Sequence, residues 1–281
     1  MSRRAKGRLK GALVAPLMAA FVWVVSGCTS ANRHADQVAA AAGLDRAVVQ
    51  GDGFHHVTYS RIVPNRPLLI YLDGDGLPWT RGGFDVSADP TVRHPLALEL
   101  AAHSNSYSVL YLGRPCYYGW ADQPECESAD WTSRRYSAQI VASLVAGANR
   151  FIAEHAVQQV ILIGHSGGGT LAVLMAPHVM NLRAVITIAG NLDVQAWTRY
   201  HGYLPLTGSL DPLREPALPE QVMELHLTGG RDREIPPALL TPYLAAHPHA
   251  QHWRYPRFDH YCCWADTWPE LLPRLVRAAL P

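Results

Sequence analysis

Val160-Ile161-Leu162-Ile163-Gly164-His165-Ser166-Gly167-Gly168 is the stretch on which the fold turns. Its first four residues are apolar throughout, as a strand buried on both faces requires. Residues 170–180 carry a helical pattern, so the serine falls at a strand–turn–helix junction. Glycines two positions before and two after Ser166 let that turn tighten and lift the hydroxyl clear of the sheet, and the backbone strain of such a turn explains them. G-x-S-x-G arises easily by chance; between a buried strand and a helix it marks an exposed nucleophile.

Outward from this point, β-rich apolar runs alternate with helical patterns. Strands are expected at 54–63, 67–72, 108–112, 160–163, 184–189, 222–227 and 251–255, and helices at 95–103, 134–155, 170–180, 238–247 and 268–280. Such alternation predicts one α/β domain over 51–281, with a mostly parallel sheet covered on both faces. Residues 191–221 lack a strong period but carry Trp197, Tyr200 and Tyr203, and read either as a lid over the site or as a loop packed on the core.

At its serine turn the chain resembles the α/β-hydrolase superfamily, whose triad runs in the order Ser, acid, His. Two further loops match that order. Thr228-Gly229-Gly230-Arg231-Asp232-Arg233-Glu234-Ile235-Pro236 follows a late strand and is similar to the family's acid loop, and Phe258-Asp259-His260 precedes the last helix where the family places its histidine. The resemblance runs from about residue 54 to the C-terminus and implies Ser166, Asp232 and His260 as a catalytic set. His260 would take the Ser166 proton, and Asp232 would fix the imidazole tautomer. Asp193, one strand earlier, is the alternative acid; Asp259 reads as a turn or capping residue.

The oxyanion of such a reaction needs preorganised N–H donors. The resemblance implies Gly167 as one, and Gly74 or Asp75 of Asp73-Gly74-Asp75-Gly76 as the other. This loop departs from the His-Gly motif of lipase-like relatives, and both its carboxylates are expected to point away from the oxyanion. It also begins like a calcium loop, but Leu77 stands at the fifth position and no ligand Glu follows on schedule. His247, His249 and His252 read as a solvated loop rather than a metal site, and His55-His56 as part of an early strand. Trp79, Phe84 and Trp264 either line an acyl pocket or fill the core. No metal and no cofactor is expected.

Residues 1–27 carry Arg3, Arg4, Lys6, Arg8 and Lys10, no acidic side chain, and an apolar stretch over 11–25. This is the layout of an export signal. Val25-Ser26-Gly27-Cys28 resembles the bacterial lipobox, which implies cleavage before Cys28 and a lipid on its sulfur. Residues 28–50 then read as an Ala-rich tether, with the possibility of a short helix. Thr29, where Asp would mark inner-membrane retention, favours the periplasmic face of the outer membrane. The bland alternative is an uncleaved signal anchor. Removing 1–27 also removes every lysine, which excludes Schiff-base and Ser-Lys chemistry from the mature chain.

Export brings an oxidising compartment, where Cys116, Cys126, Cys262 and Cys263 have three possible pairings. The expected one is local, Cys116 with Cys126 and Cys262 with Cys263; crossed pairs or free thiols are the alternatives. The 281 residues carry 24 Lys+Arg against 23 Asp+Glu, a formal charge of +1. That balance gives no support to nucleic-acid binding. The expectation is a lipid-anchored envelope hydrolase acting on a small-molecule or lipid ester. A serine peptidase or other acyl hydrolase is the alternative within enzymes, and a catalytically silent binding module the alternative outside them. Oligomeric state leaves no mark in the sequence.

Overall fold

The computed structural model describes residues 30–280, and in it the runs expected to be buried on both faces form the middle of one eight-stranded sheet. Helix α1 (Ser30–Ala41) leads into β1 (Asp45–Gln50) and β2 (His55–Arg61). Strand β3 (Leu68–Leu72) precedes a small hairpin of β4 (Trp79–Thr80) and β5 (Asp85–Val86), then α2 (Leu96–Ala102) and β6 (Ser108–Leu112). The remainder alternates α3 (Ala138–Glu154), β7 (Val160–His165), α4 (Gly167–Met175), β8 (Leu182–Ile188), α5 (Val194–His201), β9 (Met223–Gly229), α6 (Thr241–Ala246), β10 (Gln251–Tyr255) and α7 (Trp264–Ala279).

The strand order is β1-β2-β6-β3-β7-β8-β9-β10. All pairings from β6 to β10 are parallel, and β1 and β2 are added antiparallel at one edge. Every residue of β3, β6 and β7 is buried, because α2 and α7 pack together on one side and α3 and α4 on the other. Parallel neighbours aligned this way bring their carboxyl ends to one edge, where an α/β sheet carries its site.

Three stretches differ from expectation. Residues 28–50 were expected as a tether, but from Ser30 they are built into the domain. Tyr59 donates to Asp36 at 2.7 Å, Arg61 donates to the Ala42 carbonyl at 2.7 Å, and β1 pairs with β2 from Asp45↔Ser60 to Gln50↔His55. The 191–221 stretch contains α5, capped at its start by Asp193 and ended by Gly202 in the left-handed region. Helix α7 begins four residues before its expected start and carries Pro269 and Pro273 inside it. An interior proline forfeits one backbone hydrogen bond; burial of Trp264, Trp268, Leu271, Leu272 and Leu275 offsets that loss. The export signal and Cys28 lie outside the described residues.

Candidate active site

Strand β7 delivers its last residue, His165, to the carboxyl edge, and α4 begins at Gly167. Ser166 between them has φ 54° and ψ −123°, a conformation that non-glycine residues adopt only when their surroundings impose it. The strain therefore sits on the serine itself. The flanking glycines answer a different need, which is room: a Cβ on Gly164 would lie 2.2 Å from the Gly168 carbonyl oxygen, and one on Gly168 2.1 Å from that of Leu72. Helix α4 can start directly above β3 and β7 only because those side chains are missing.

Asp232 follows β9. Its Oδ2 lies 2.9 Å from Nδ1 of His260, and its Oδ1 accepts from the backbone N–H groups of Glu234 at 2.8 Å and Ile235 at 2.9 Å. Asp193, the alternative acid, instead accepts from the N–H of Ala196 at 2.8 Å and caps α5. Asp259 shapes the turn after the histidine, its Oδ1 accepting from the N–H groups of Tyr261 and Cys262 at 2.9 and 2.7 Å. His165 lies behind His260 with ring centroids 4.8 Å apart, and its Nε2 is 2.9 Å from the His260 carbonyl oxygen. A carbonyl only accepts, so His165 carries its proton on Nε2. Burial, then the neighbouring His260, pushes the pKa of His165 down to about 3 and keeps the ring neutral.

Gly74 faces the serine: a Cβ on it would lie 3.2 Å from Ser166 Cβ and 3.5 Å from its Oγ. The two carboxylates of this loop part ways. Asp73 turns away, its Oδ1 accepting from the N–H of Ala97 in the first turn of α2 at 3.0 Å. Burial raises its pKa to about 7. Asp75 packs against Gly167: a Cβ there would lie 2.2 Å from Asp75 Oδ1 and 2.5 Å from the Tyr136 hydroxyl.

Both oxygens of the Asp75 carboxylate are paired. Arg114 Nη1 lies 2.6 Å from its Oδ1, Arg135 Nη1 2.8 Å from its Oδ2, and the Tyr136 hydroxyl donates to it at 2.7 Å. Burial opposes ionisation of Asp75, but Arg135 and Arg114 outweigh it and bring the pKa to about 2. The Tyr117 hydroxyl holds the Asp75 carbonyl at 2.8 Å. Sequence reasoning missed Arg114, Arg135, Tyr117 and Tyr136. They stand 39 to 61 positions from Asp75, and no local pattern links them.

The aromatics divide. Trp264 is fully buried and packs edge-on against Tyr255 and Phe258, so it belongs to the core. Trp79 and Phe84 lie on the β4–β5 hairpin, 37% and 87% exposed, outside the core. The solvated histidine loop is a correct expectation only for His249, which is exposed and lies 3.2 Å from Glu220: His247 is buried and stacks on Tyr243, and His252 is part of β10 and bonds to Thr228 at 2.7 Å. His56, in β2, is buried between Ser143 and the Gly113 carbonyl. Among the described residues no group of three or more His, Cys, Asp or Glu is placed to hold a metal ion. Cys116 and Cys126 are joined, as are Cys262 and Cys263, which is the local pairing.

The architecture is the α/β-hydrolase fold. Solved structures similar to this chain include an α/β serine hydrolase without a lid from Xanthomonas campestris, 16% identical, with a TM-score of 0.57 over 85% of this chain and 95% of that one. A proline iminopeptidase from Mycobacterium smegmatis is 12% identical, with a TM-score of 0.58 over 84% and 97%. A puromycin-hydrolysing peptidase from Mycobacterium tuberculosis is 15% identical, with a TM-score of 0.56 over 83% of this chain and 38% of that one. No protein-family model matches the chain, and a search of curated proteins finds no match.

Proposed function

We propose that this protein is a serine hydrolase that cleaves a carboxylic ester through an acyl-enzyme. The observation that carries the reading is the buried Asp232–His260 pair at 2.9 Å, at the sheet edge that also presents Ser166 on a strained turn. In this reading His260 draws the proton from Ser166, and the serine oxygen attacks the ester carbonyl. The resulting oxyanion is received by the N–H of Gly167 and one from the Gly74–Asp75 segment, each such donor contributing about 3 kcal/mol. His260 then returns the proton to the leaving alcohol, and water repeats the sequence on the acyl-enzyme. No step calls for a cofactor.

Fluorophosphonate labelling of the protein, followed by turnover of a panel of p-nitrophenyl esters, tests the reading. Labelling and turnover should both vanish in Ser166→Ala while the melting temperature holds, since the turn loses one oxygen only. Equal labelling of that variant would remove Ser166 from the mechanism. No labelling of the unaltered protein would favour the silent binding module.

A peptidase is the second reading, favoured by the structural likeness to the iminopeptidase and the puromycin-hydrolysing enzyme. Aminoacyl arylamides added to the panel separate it from an esterase by the ratio of kcat/KM values. We also infer, from the Val25–Cys28 motif, that the protein is exported and held on a membrane by a lipid on Cys28, at the periplasmic face of the outer membrane.

A further inference from the structure

We propose that the catalytic edge of the sheet is docked against a phospholipid bilayer through the β4–β5 hairpin and the segment that follows α5. The proposal rests on the lipid-anchor reading of Cys28 and is independent of whether the substrate is an ester.

The direction of α1 sets the geometry. Near its start, Asn32 lies beside Gly119, where a Cβ would come within 3.5 Å of Asn32 Nδ2; Gly119 is in the loop that leaves the carboxyl end of β6. At its middle, Asp36 receives the Tyr59 hydroxyl, and just past its end the Ala42 carbonyl receives Arg61. Tyr59 pairs with Tyr111 and Arg61 with Val109, so this line of contacts runs from the carboxyl edge toward the opposite one. The chain therefore enters the domain at the catalytic edge. Only Thr29 lies between Cys28 and Ser30, and two residue steps of chain span at most about 7 Å. A lipid on Cys28 would hold that edge, and no other, against the membrane.

The same edge is furnished for contact with acyl chains. The hairpin presents Trp79, Phe84 and Val86, which are 37%, 87% and 41% exposed. The end of α5 and the turn after it present Tyr200, Tyr203 and Leu204, at 56%, 52% and 80%. These segments leave β3 and β8, the two strands that flank β7 and hence Ser166. Helix α5 is seated on the acid loop, where Trp197 Nε1 donates to the Glu234 carbonyl at 3.1 Å and His201 Nε2 reaches the same oxygen at 2.8 Å. The apolar side chains thus form two banks with the nucleophile's strand between them. Side chains this large and this exposed, paired with tyrosines that carry a polar tip, suit a surface that is half water and half hydrocarbon.

The test uses the full chain, with its own N-terminus, in an exporting bacterial host. A photoreactive benzoylphenylalanine replaces Phe84, Leu204 or, as a control in the turn that enters β8 at the opposite edge, Met180. Membranes are isolated and irradiated, and lipid adducts are read by mass spectrometry. The proposal expects adducts at positions 84 and 204 several-fold above those at 180. Adducts equal at both edges, or concentrated at 180, would overturn the orientation while leaving the anchor in place. Adducts at 84 and 204 to a second copy of this chain would replace the bilayer with self-association. Fractionation gives the separate readout: a chain that stays out of the membrane fraction, or stays in it unchanged as Cys28→Ser, defeats the anchor reading and the proposal with it.

Discussion

Asp232 holds Nδ1 of His260 at 2.9 Å with one carboxylate oxygen and gives the other to the N–H groups of Glu234 and Ile235. The carboxylate cannot rotate away from the imidazole without giving up both N–H groups, of which that of Ile235 is buried, so the acid is held by the backbone of its own loop. In the proposed mechanism its role is orientation, with Nε2 of His260 left for the serine. Asp193 makes a comparable bond, but to the first turn of α5.

Asp232→Asn should therefore cut kcat by roughly 10⁴-fold, as the same change does where an amide imposes the wrong tautomer. Asp193→Asn should leave turnover within about twofold and stability unchanged, because Asn caps a helix about as well as Asp. Steady-state kinetics of both variants on one ester decide it. The reverse ranking would move the acid one strand earlier.

The Asp75 cluster makes a different prediction. Tyr136→Phe removes a donor to the carboxylate that abuts Gly167, without stranding either guanidinium. Loss of one charge-assisted hydrogen bond costs about 1.5–3 kcal/mol wherever that bond matters. If the cluster only stabilises the fold, the loss appears as a lower urea midpoint with kcat intact. If it aims the backbone around Ser166, as the contact with Gly167 implies, kcat falls about tenfold or more with KM little changed. Arg135→Met is the harsher variant and should lower stability by about 3–5 kcal/mol, the usual consequence of breaking a buried ion pair.

The parts of the site legible in the sequence are those that nearby residues define. The apolar run of β7, the glycines around Ser166 and the order of the acid and histidine loops all lie within a few positions of the residue they position. What escaped was set by distance or by an edge. Arg114 meets Asp75 because β3 and β6 are neighbours in space, and Arg135 reaches it from the turn before α3. Strand β1 is almost wholly exposed, so its Ala47-Val48-Val49 core is too short to show a period. Helix α5 had its signals in view, Asp193 before it and Gly202 after it, but eight residues with a mixed face fall short of two clear periods. The reading of the glycines at the elbow was half right: they are needed for close approach, while the strain resides on Ser166.

Asp73 should make stability depend on pH in the sense opposite to a carboxylate held in an ion pair such as Asp75. Its native pKa is raised to about 7 by burial, against about 4 in an unfolded chain. The native state therefore binds the extra proton, so the contribution is full below about pH 4 and is lost as pH rises toward 7. Three pH units correspond to about 4 kcal/mol at most. His165 and His56, with native values near 3 and 4, act in the other direction and lose stability as pH falls below about 6.5. Asp73→Asn keeps an oxygen for the Ala97 N–H and carries no charge, so comparison with the unaltered protein cancels the histidines. Urea unfolding from pH 4 to pH 8 should show the variant gaining on the unaltered protein across that window, with a plateau above it. A difference that is flat with pH would mean that Asp73 ionises freely.

The two disulfides should separate stability from turnover. Cys116–Cys126 closes a loop over a sequence separation of 10, which restricts the unfolded chain by about 2–3 kcal/mol. Its position just beyond Arg114 also ties that loop to the Asp75 cluster. Cys262–Cys263 links adjacent residues and encloses no loop to speak of, so it adds little to the chain-entropy balance. It lies instead in the turn that follows His260, where the N–H of Cys262 donates to Asp259 Oδ1 and the Cys262 carbonyl accepts from the Asp259 N–H. Cys116→Ala with Cys126→Ala should then lower the urea unfolding free energy by about 2–3 kcal/mol. Cys262→Ala with Cys263→Ala should leave that free energy within about 0.5 kcal/mol, the usual scatter for changes outside the core, and slow ester turnover through a less well aimed histidine. Unreduced peptide mapping comes first, since a link from Cys116 to either Cys262 or Cys263 would cancel the premise. Given the local pairing, mild reductant should depress kcat before it depresses the melting temperature. Loss of the two together would show that the pair beside His260 supports the core and not the base.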